Sequence, residues 1–228
     1  MKRKTQAIVM FTNHDKTVGN TLELFEQCKD LPLENWGFKT SGQPFEKLRE
    51  FAKAIKSAGK KLFVEVITFT KQEYEMVAEF CKNSEVDVLL GTIYDKTLQD
   101  KLRKCHTQYY PFAGKTVGYR GEIIKSMEEI LADAKEIADM KADGIAVPAY
   151  MHKEIDGDDI VKALCDKFPE MQILVAGRVK TYERIDRLFE IGVANYTIGG
   201  ALFSGEFAKG KGFRENVGVL AKYMNNHG

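Results

Sequence analysis

Eight short apolar segments alternate along the chain with longer segments in which apolar residues recur every three or four positions. Short apolar runs bounded by turn residues predict buried strands, and the three- and four-residue period predicts helices that pack one face on a sheet. Their alternation predicts parallel strands joined by crossover helices. The predicted strands begin at Ala7, Trp36, Leu62, Val86, Tyr109, Gly144, Gln172 and Asn195.

The number and spacing of these units predict one (β/α)8 TIM barrel over residues 1–228, because this length is within the range of a single barrel domain. Local signals at the second helix agree with this interpretation. Pro44 suits its first turn and Gly59 suits its carboxyl end. The sequence therefore predicts a barrel whose functional residues lie at the carboxyl ends of the strands.

The balance of charges limits the classes of partner. Lys and Arg number 34 and Asp and Glu 33, a formal net charge of +1, so no overall field favours nucleic acid or a membrane surface. We expect neither as a partner. The first apolar run, AIVMF from Ala7, is too short for a membrane span, and the four cysteines form no CxxC pair, so we expect a cytoplasmic protein. The sequence does not fix an oligomeric state, and a homodimer is one expectation because barrels often associate.

Glycines at the ends of the last two predicted strands form the clearest chemical signal. The strings AGRV, at 176–179, and IGGALF, at 198–203, lie about one βα unit apart. Barrels commonly bind phosphate with the loops after strands seven and eight and the start of a short extra helix. The alternative is that these glycines only permit tight turns. The predicted phosphate-binding residues are Gly177, Arg178, Gly199, Gly200 and Ala201.

The segment QILVAGRVKTYERIDRLFEIGVANYTIGGALF, at 172–203, resembles the final quarter of the ribulose-phosphate-binding barrel superfamily. That superfamily includes the histidine- and tryptophan-pathway barrels and ribulose-phosphate epimerase. The resemblance implies a TIM barrel with a phosphate site on strands seven and eight, and a small phosphorylated metabolite as partner. The acids and histidines that the named enzyme groups use are missing here, so the chain is placed outside those groups.

Lys39 and Glu65 are charged residues near the ends of two neighbouring predicted strands. A carboxylate in an apolar strand is costly to bury without a partner, and Lys39 is the natural one. Glu65 then suits a general base, with Lys39 stabilising an enolate oxygen. Alternatively, Lys39 forms an imine with the substrate as in class I aldolases. A third interpretation is a buried ion pair that only fixes the strand register.

The loops after the predicted strands supply the remaining candidates. His152, in the loop after strand six, is a third predicted catalytic residue. The predicted substrate contacts are His14, Thr68, Thr92, Lys115 and Arg120. The four histidines are too dispersed for a metal motif, so no metal site and no cofactor is predicted. The sequence does not exclude a divalent metal. It does not exclude FMN either, since flavin barrels bind phosphate at the same two strand ends.

These features together predict an enzyme of carbohydrate metabolism that acts on a small phosphorylated, sugar-like metabolite. The expected reaction is that of an isomerase or an aldolase-like carbon–carbon lyase, through an enolate or an imine. One alternative is a regulatory barrel that binds a phosphometabolite without catalysis. The other alternative is an FMN-binding barrel.

Overall fold

The structure, a computed structural model, describes residues 5–66, 70–114, 116–117 and 122–227. Eight parallel strands form a nearly closed barrel with helices between them, as predicted. The strands are β1 (Gln6–Met10), β2 (Asn35–Lys39), β3 (Lys61–Val66), β4 (Val88–Gly91), β5 (Gln108–Tyr110), β6 (Gly144–Val147), β7 (Gln172–Val175) and β8 (Asn195–Ile198). The helices are α1 (Thr21–Cys28), α2 (Phe45–Ser57), α3 (Lys71–Asn83), α4 (Lys96–Lys104), α5 (Met127–Asp139), α6 (Gly157–Lys167), α7 (Tyr182–Ile191), α8 (Gly200–Phe203) and α9 (Phe213–His227).

Neighbouring strands pair in the order β6-β7-β8-β1-β2-β3-β4-β5. The barrel closes between β5 and β6 just beyond the last residue of β5. There the amide of Ala146 donates to the carbonyl of Pro111 at 2.9 Å, and the amide of Ala113 donates to the carbonyl of Ala146 at 2.9 Å. The carboxyl ends of all eight strands therefore face the same side of the molecule, where barrel enzymes carry their active sites.

Side chains alternate between the barrel interior and the helices, because successive residues of a strand point to opposite faces. On β3, Leu62 and Val64 pack under the helices while Phe63 points into the barrel. The same alternation turns Glu65 inward, and Lys39 on β2 is inward by the same argument. The apolar interior of the barrel consists of Ile8, Met10, Phe63, Val88, Leu90, Tyr110, Phe112, Ala146, Leu174 and Ala176.

Helix ends follow the local sequence. Pro44 caps the amino end of α2, one residue before its first turn, and Gly59 follows the helix with a φ of +70°. Ser126 and Glu129 form a capping box at the start of α5, in which each side chain bonds to the other's backbone amide. Among the helices of the described residues, none has both the length and the apolar character needed to cross a bilayer.

One thiol and two phenol groups are buried in the core, and burial disfavours their ionisation in the folded protein. Cys81, Tyr109 and Tyr196 have no exposed surface. Burial raises the pKa of each group above its ordinary value, which is 9.0 for the thiol and 10.0 for the phenols. Because the unfolded chain releases these protons at lower pH than the folded chain, stability falls as the pH rises above the ordinary values.

We expect the free energy of unfolding to fall above about pH 9, by up to about 1.4 kcal/mol per pH unit for each group that ionises only in the unfolded chain. Urea unfolding at several pH values between about 8 and 10.5 measures this slope. Cys81→Ala is expected to reduce the slope just above pH 9, the ordinary thiol pKa. An equal slope in the two proteins would contradict the assignment to Cys81.

Candidate functional site

A buried lysine between two carboxylates lies at the carboxyl ends of β2 and β3. Lys39 places its Nζ 3.1 Å from Oε1 of Glu65 and 2.9 Å from Oδ1 of Asp15. Lys39 and Glu65 are register partners and are only 9% and 6% exposed, whereas the Asp15 side chain is 38% exposed. The expected contact between Lys39 and Glu65 is present, and Asp15 completes a charge cluster of three residues.

The two carboxylates hold Lys39 as an ammonium ion. Burial is the largest single influence on the Lys39 pKa and lowers it, but the charges and hydrogen bonds of Glu65 and Asp15 together outweigh burial. The net effect raises the pKa above its ordinary value of 10.5. An ammonium ion has three N–H donors, and two of them serve these carboxylates. Among the described residues, these two carboxylates are the ion-pair partners of Lys39.

Asp15 reaches the charge cluster on a small hairpin that follows β1. In this hairpin, Thr12–Asn13 pairs with Lys16–Thr17, and the turn residues His14 and Asp15 both have positive φ, 47° and 61°. Two such residues form the tight turn whose twist matches the flanking strands, although the conformation is strained for residues other than glycine. The turn directs Asp15 toward Lys39 and leaves His14 exposed.

Asp15 is the site residue that sequence reasoning misses. The available signal is an acid a few residues beyond a predicted barrel strand, on the side where active sites form. Acids are common in surface loops, so this signal alone does not distinguish Asp15 from its neighbours. Its role depends on a contact with Lys39, which lies 24 positions away in the sequence.

Thr92 follows β4 directly, but its side chain is turned into the protein. The residue is 1% exposed, has a positive φ of 59°, and places its Oγ1 3.1 Å from the hydroxyl of Tyr74. Its hydroxyl is therefore already held by a protein partner. Three other predicted substrate contacts, Thr68, Lys115 and Arg120, lie outside the described residues.

Both ring nitrogens of His152 are used by the backbone. Nδ1 accepts from the amides of Glu154 and Ile155 at 3.0 and 2.8 Å, which places the ring proton on Nε2. Nε2 lies 2.9 Å from the carbonyl of Lys125 and donates to it. In this arrangement, His152 fastens the loop after β6 to the segment before α5, and the geometry does not support its predicted catalytic role. Within the described residues, no three His, Cys, Asp or Glu side chains form a metal-binding group.

The predicted phosphate-binding residues lie together at the ends of β7 and β8. The amide of Gly177 donates to Oγ1 of Thr197 at 2.8 Å, so the protein already uses this donor. Gly200 and Ala201 are the first residues of α8, and the amides at the start of a helix have no acceptor within it. Among the described residues, the amides of Gly200 and Ala201 are thus backbone donors without an acceptor in their own helix.

Gly199 joins the start of α8 to the hairpin that carries Asp15. A Cβ at Gly199 would lie 2.7 Å from the carbonyl oxygen of Thr12 and 3.0 Å from that of Met10, so only glycine fits there. Arg178, at the end of β7, is exposed and has a positive φ of 58°. The predicted phosphate site and the charge cluster thus flank the same hairpin.

No protein-family model and no curated protein sequence matches the chain. Solved structures match it over nearly its full length. Orotidine 5'-phosphate decarboxylase from Pyrococcus horikoshii has a TM-score of 0.69 and 12% identity, over 96% of this chain and 98% of that chain. The native KDPGal structure has a TM-score of 0.67 and 12% identity, over 100% and 97% of the two chains. A glycerol uptake operon antiterminator regulatory protein from Listeria monocytogenes has a TM-score of 0.60 and 13% identity, over 84% and 91%.

Identities of 12–13% show the fold and leave the activity of this chain open. The barrel of eight parallel strands agrees with these matches. The chain therefore has the (β/α)8 barrel fold that its strand and helix pattern predicts.

Proposed function

We propose that the protein is an enzyme that acts on a small phosphorylated, sugar-like metabolite and stabilises negative charge that develops next to a carbonyl carbon. The observation that carries the proposal is the buried Lys39 ammonium between Asp15 and Glu65 at the carboxyl end of the barrel. Three charged groups in such a position cost desolvation free energy. That cost is expected where charge is needed for chemistry, and this end of a barrel is where chemistry occurs.

In the proposed reaction, Glu65 removes a proton from the carbon beside a substrate carbonyl. The electron pair of that C–H bond moves into the carbon–carbon bond, and the carbonyl oxygen becomes an enolate oxygen. The third N–H of Lys39 donates a hydrogen bond to this oxygen as its charge grows. Asp15 and Glu65 hold the ammonium in place, so little reorganisation is needed when the charge appears. In a substrate whose deprotonated carbon carries a hydroxyl, the proton of that hydroxyl moves to the enolate oxygen. Glu65 then returns its proton to the former carbonyl carbon, so that the carbonyl now lies on the neighbouring carbon and the isomerisation is complete.

The raised pKa of Lys39 favours this mechanism over an imine. An imine requires the neutral amine, whose lone pair attacks the carbonyl carbon, and the two carboxylates favour the ammonium form instead. The imine mechanism predicts that borohydride in the presence of substrate reduces a covalent adduct on Lys39. The enolate mechanism predicts no such adduct.

Phosphate binding at the start of α8 is the second part of the proposal. The amides of Gly200 and Ala201 at the start of α8 are suited to a phosphate group. The close packing of Gly199 on the hairpin that carries Asp15 supports one substrate site for both parts of the proposal. The structural matches support this class of substrate and chemistry. One of them decarboxylates orotidine 5'-phosphate, and loss of carbon dioxide, like loss of a proton, leaves an electron pair on carbon.

A ligand panel followed by one substitution tests the proposal. We expect a phosphosugar or ribotide to raise the melting temperature more than inorganic phosphate or FMN does, and Gly200→Asp to abolish the shift by placing a carboxylate against the phosphate. With that ligand as substrate, Glu65→Gln is expected to lower kcat at least about 100-fold and leave affinity nearly unchanged. Glu50→Gln, at an exposed position of α2, is the matched control. Full turnover by Glu65→Gln would exclude the mechanism.

A regulatory barrel without catalysis is the second candidate function. The specific observation that favours it is the structural similarity to the Listeria antiterminator regulatory protein over 84% of this chain. This candidate predicts tight phosphometabolite binding that Gly200→Asp abolishes, with no conversion of the ligand. A product detected by NMR after long incubation of ligand and protein decides against it.

A further inference from the structure

The backbone of Lys39 lies beyond the last residue of β2 that pairs with β1. Register pairing between β1 and β2 ends at Met10 and Gly37, and the Phe11 amide makes the last bond of the ladder, to the Gly37 carbonyl at 2.9 Å. The next acceptor along β1, the Phe11 carbonyl, bonds instead to the amide of Val18. The amide and carbonyl of Lys39 on that side therefore require another partner.

The hydroxyl of Thr17 is that partner for both groups. Its Oγ1 accepts from the Lys39 amide at 3.0 Å and donates to the Lys39 carbonyl at 2.7 Å. Thr17 is 2% exposed, so water does not replace these bonds easily. On the side of Lys39 that faces β1, the Thr17 side chain thus makes the hydrogen bonds that a neighbouring strand would make. On the opposite side the pairing with β3 continues, because the Thr40 amide donates to the Glu65 carbonyl at 3.0 Å.

Thr17 is itself held, and it lies on the hairpin that carries Asp15. Its amide donates to the carbonyl of Ser41 at 2.9 Å, and the Ser41 hydroxyl donates to the carbonyl of Asp15 at 2.9 Å. Gly42 packs so closely on Thr17 that a Cβ there would lie 2.7 Å from the Thr17 carbonyl oxygen. The Thr17 hydroxyl therefore links the hairpin that contains Asp15 to the backbone of Lys39.

We propose that Thr17 is a positioning residue, whose hydroxyl sets the place of the Lys39 ammonium between Asp15 and Glu65. The proposal rests on the function proposed above and adds a residue that acts through Lys39 rather than on the substrate. Displacement of a charge-stabilising group by about 1 Å costs about 100-fold in rate, so a residue that fixes this position is expected to affect turnover strongly.

Two substitutions at Thr17 separate the hydroxyl from the shape of the side chain. Thr17→Val keeps the shape and removes both hydrogen bonds, whereas Thr17→Ser keeps the hydroxyl. NMR titration of the lysine ε-carbons reports the Lys39 pKa without any substrate, and the signal is identified by its loss in Lys39→Met. We expect Thr17→Val to lower this pKa and to reduce kcat about 100-fold with a smaller change in KM. Thr17→Ser is expected to restore both quantities to near wild type.

Ser41→Ala is the matched control, because it removes an exposed hydrogen bond in the same loops without touching Lys39. We expect it to leave the Lys39 titration unchanged.

A folded Thr17→Val protein with an unchanged Lys39 titration and unchanged kcat would overturn the inference, while the function itself is tested separately through Glu65→Gln. If Thr17→Val does not fold, amide exchange in the wild type decides the matter. If the Lys39 amide exchanges about as slowly as the buried amides of β3, the result supports a persistent bond from Lys39 to the Thr17 hydroxyl. Exchange as fast as that of an exposed loop amide contradicts it.

Discussion

Lys39→Met is expected to abolish detectable turnover and to lower the free energy of unfolding by about 3–5 kcal/mol, because removal of one partner of a buried ion pair leaves the other charge unpaired. Glu65 is the group left behind: it is 6% exposed and its only ion-pair partner among the described residues is Lys39. Asp15 is partly exposed and loses less, since water solvates it. Urea unfolding measures the stability, and conversion of the ligand found in the panel measures the activity.

The double variant Lys39→Met/Glu65→Met separates catalysis from structure. A buried ion pair replaced by apolar side chains of similar volume is often neutral in stability or better, so we expect the double variant to recover most of the lost free energy of unfolding. If the charges serve the reaction, activity stays absent. If the pair only fixes the register of β2 and β3, the double variant recovers activity with stability. The second outcome would leave the charge cluster without a catalytic role.

Gly199→Ala is expected to reduce affinity for the phosphorylated ligand at least about tenfold and to cost about 1–3 kcal/mol of stability, the usual penalty for overpacking. The added Cβ would meet the carbonyl oxygens of Thr12 and Met10 at 2.7 and 3.0 Å, and backbone atoms cannot swing away as a flexible side chain does. The start of α8 must therefore move away from the hairpin. Because the proposed phosphate donors are the next two amides, their positions change with it.

Gly218→Ala provides the control for a glycine-to-alanine change. Gly218 lies inside α9, where the nearest atom to an added Cβ is Cδ2 of Leu31 at 4.0 Å. Alanine favours a helix interior over glycine by about 1 kcal/mol, so this variant is expected to be slightly more stable, with unchanged ligand affinity. Isothermal titration of both variants measures affinity, and thermal melting measures stability. Wild-type affinity in Gly199→Ala would argue against phosphate binding at the start of α8.

Under the proposed function, catalysis and stability place opposite demands on the charge cluster. The hairpin turn keeps two residues, His14 and Asp15, in left-handed backbone conformations that cost free energy. The same turn brings Asp15 within 2.9 Å of the Lys39 ammonium. We infer that strain in the turn is retained because it delivers this carboxylate, and that a more relaxed turn sequence would stabilise the fold at the expense of the site.

The alternation of short apolar runs with amphipathic segments determined the barrel by itself. Parallel strands buried on both faces need continuous apolar runs, and their crossover helices need one apolar face, so the pattern admits few other architectures. The contact between Lys39 and Glu65 was also predictable. A charge in an apolar strand needs a partner, and successive parallel strands place their carboxyl ends side by side.

Only the tertiary structure decided which polar groups are free to act. Asp15 forms an ion pair with Lys39 because of a turn whose backbone conformation no local sequence motif predicts. The ring of His152 and the amide of Gly177 both proved to be bonded to protein groups. Hydrogen-bond partners are set by where loops meet in space, between residues far apart in the sequence, whereas strands and helices are set by periodicity within one segment. The chain pattern therefore specified the barrel, and the packing of its loops decided which polar side chains and amides meet one another.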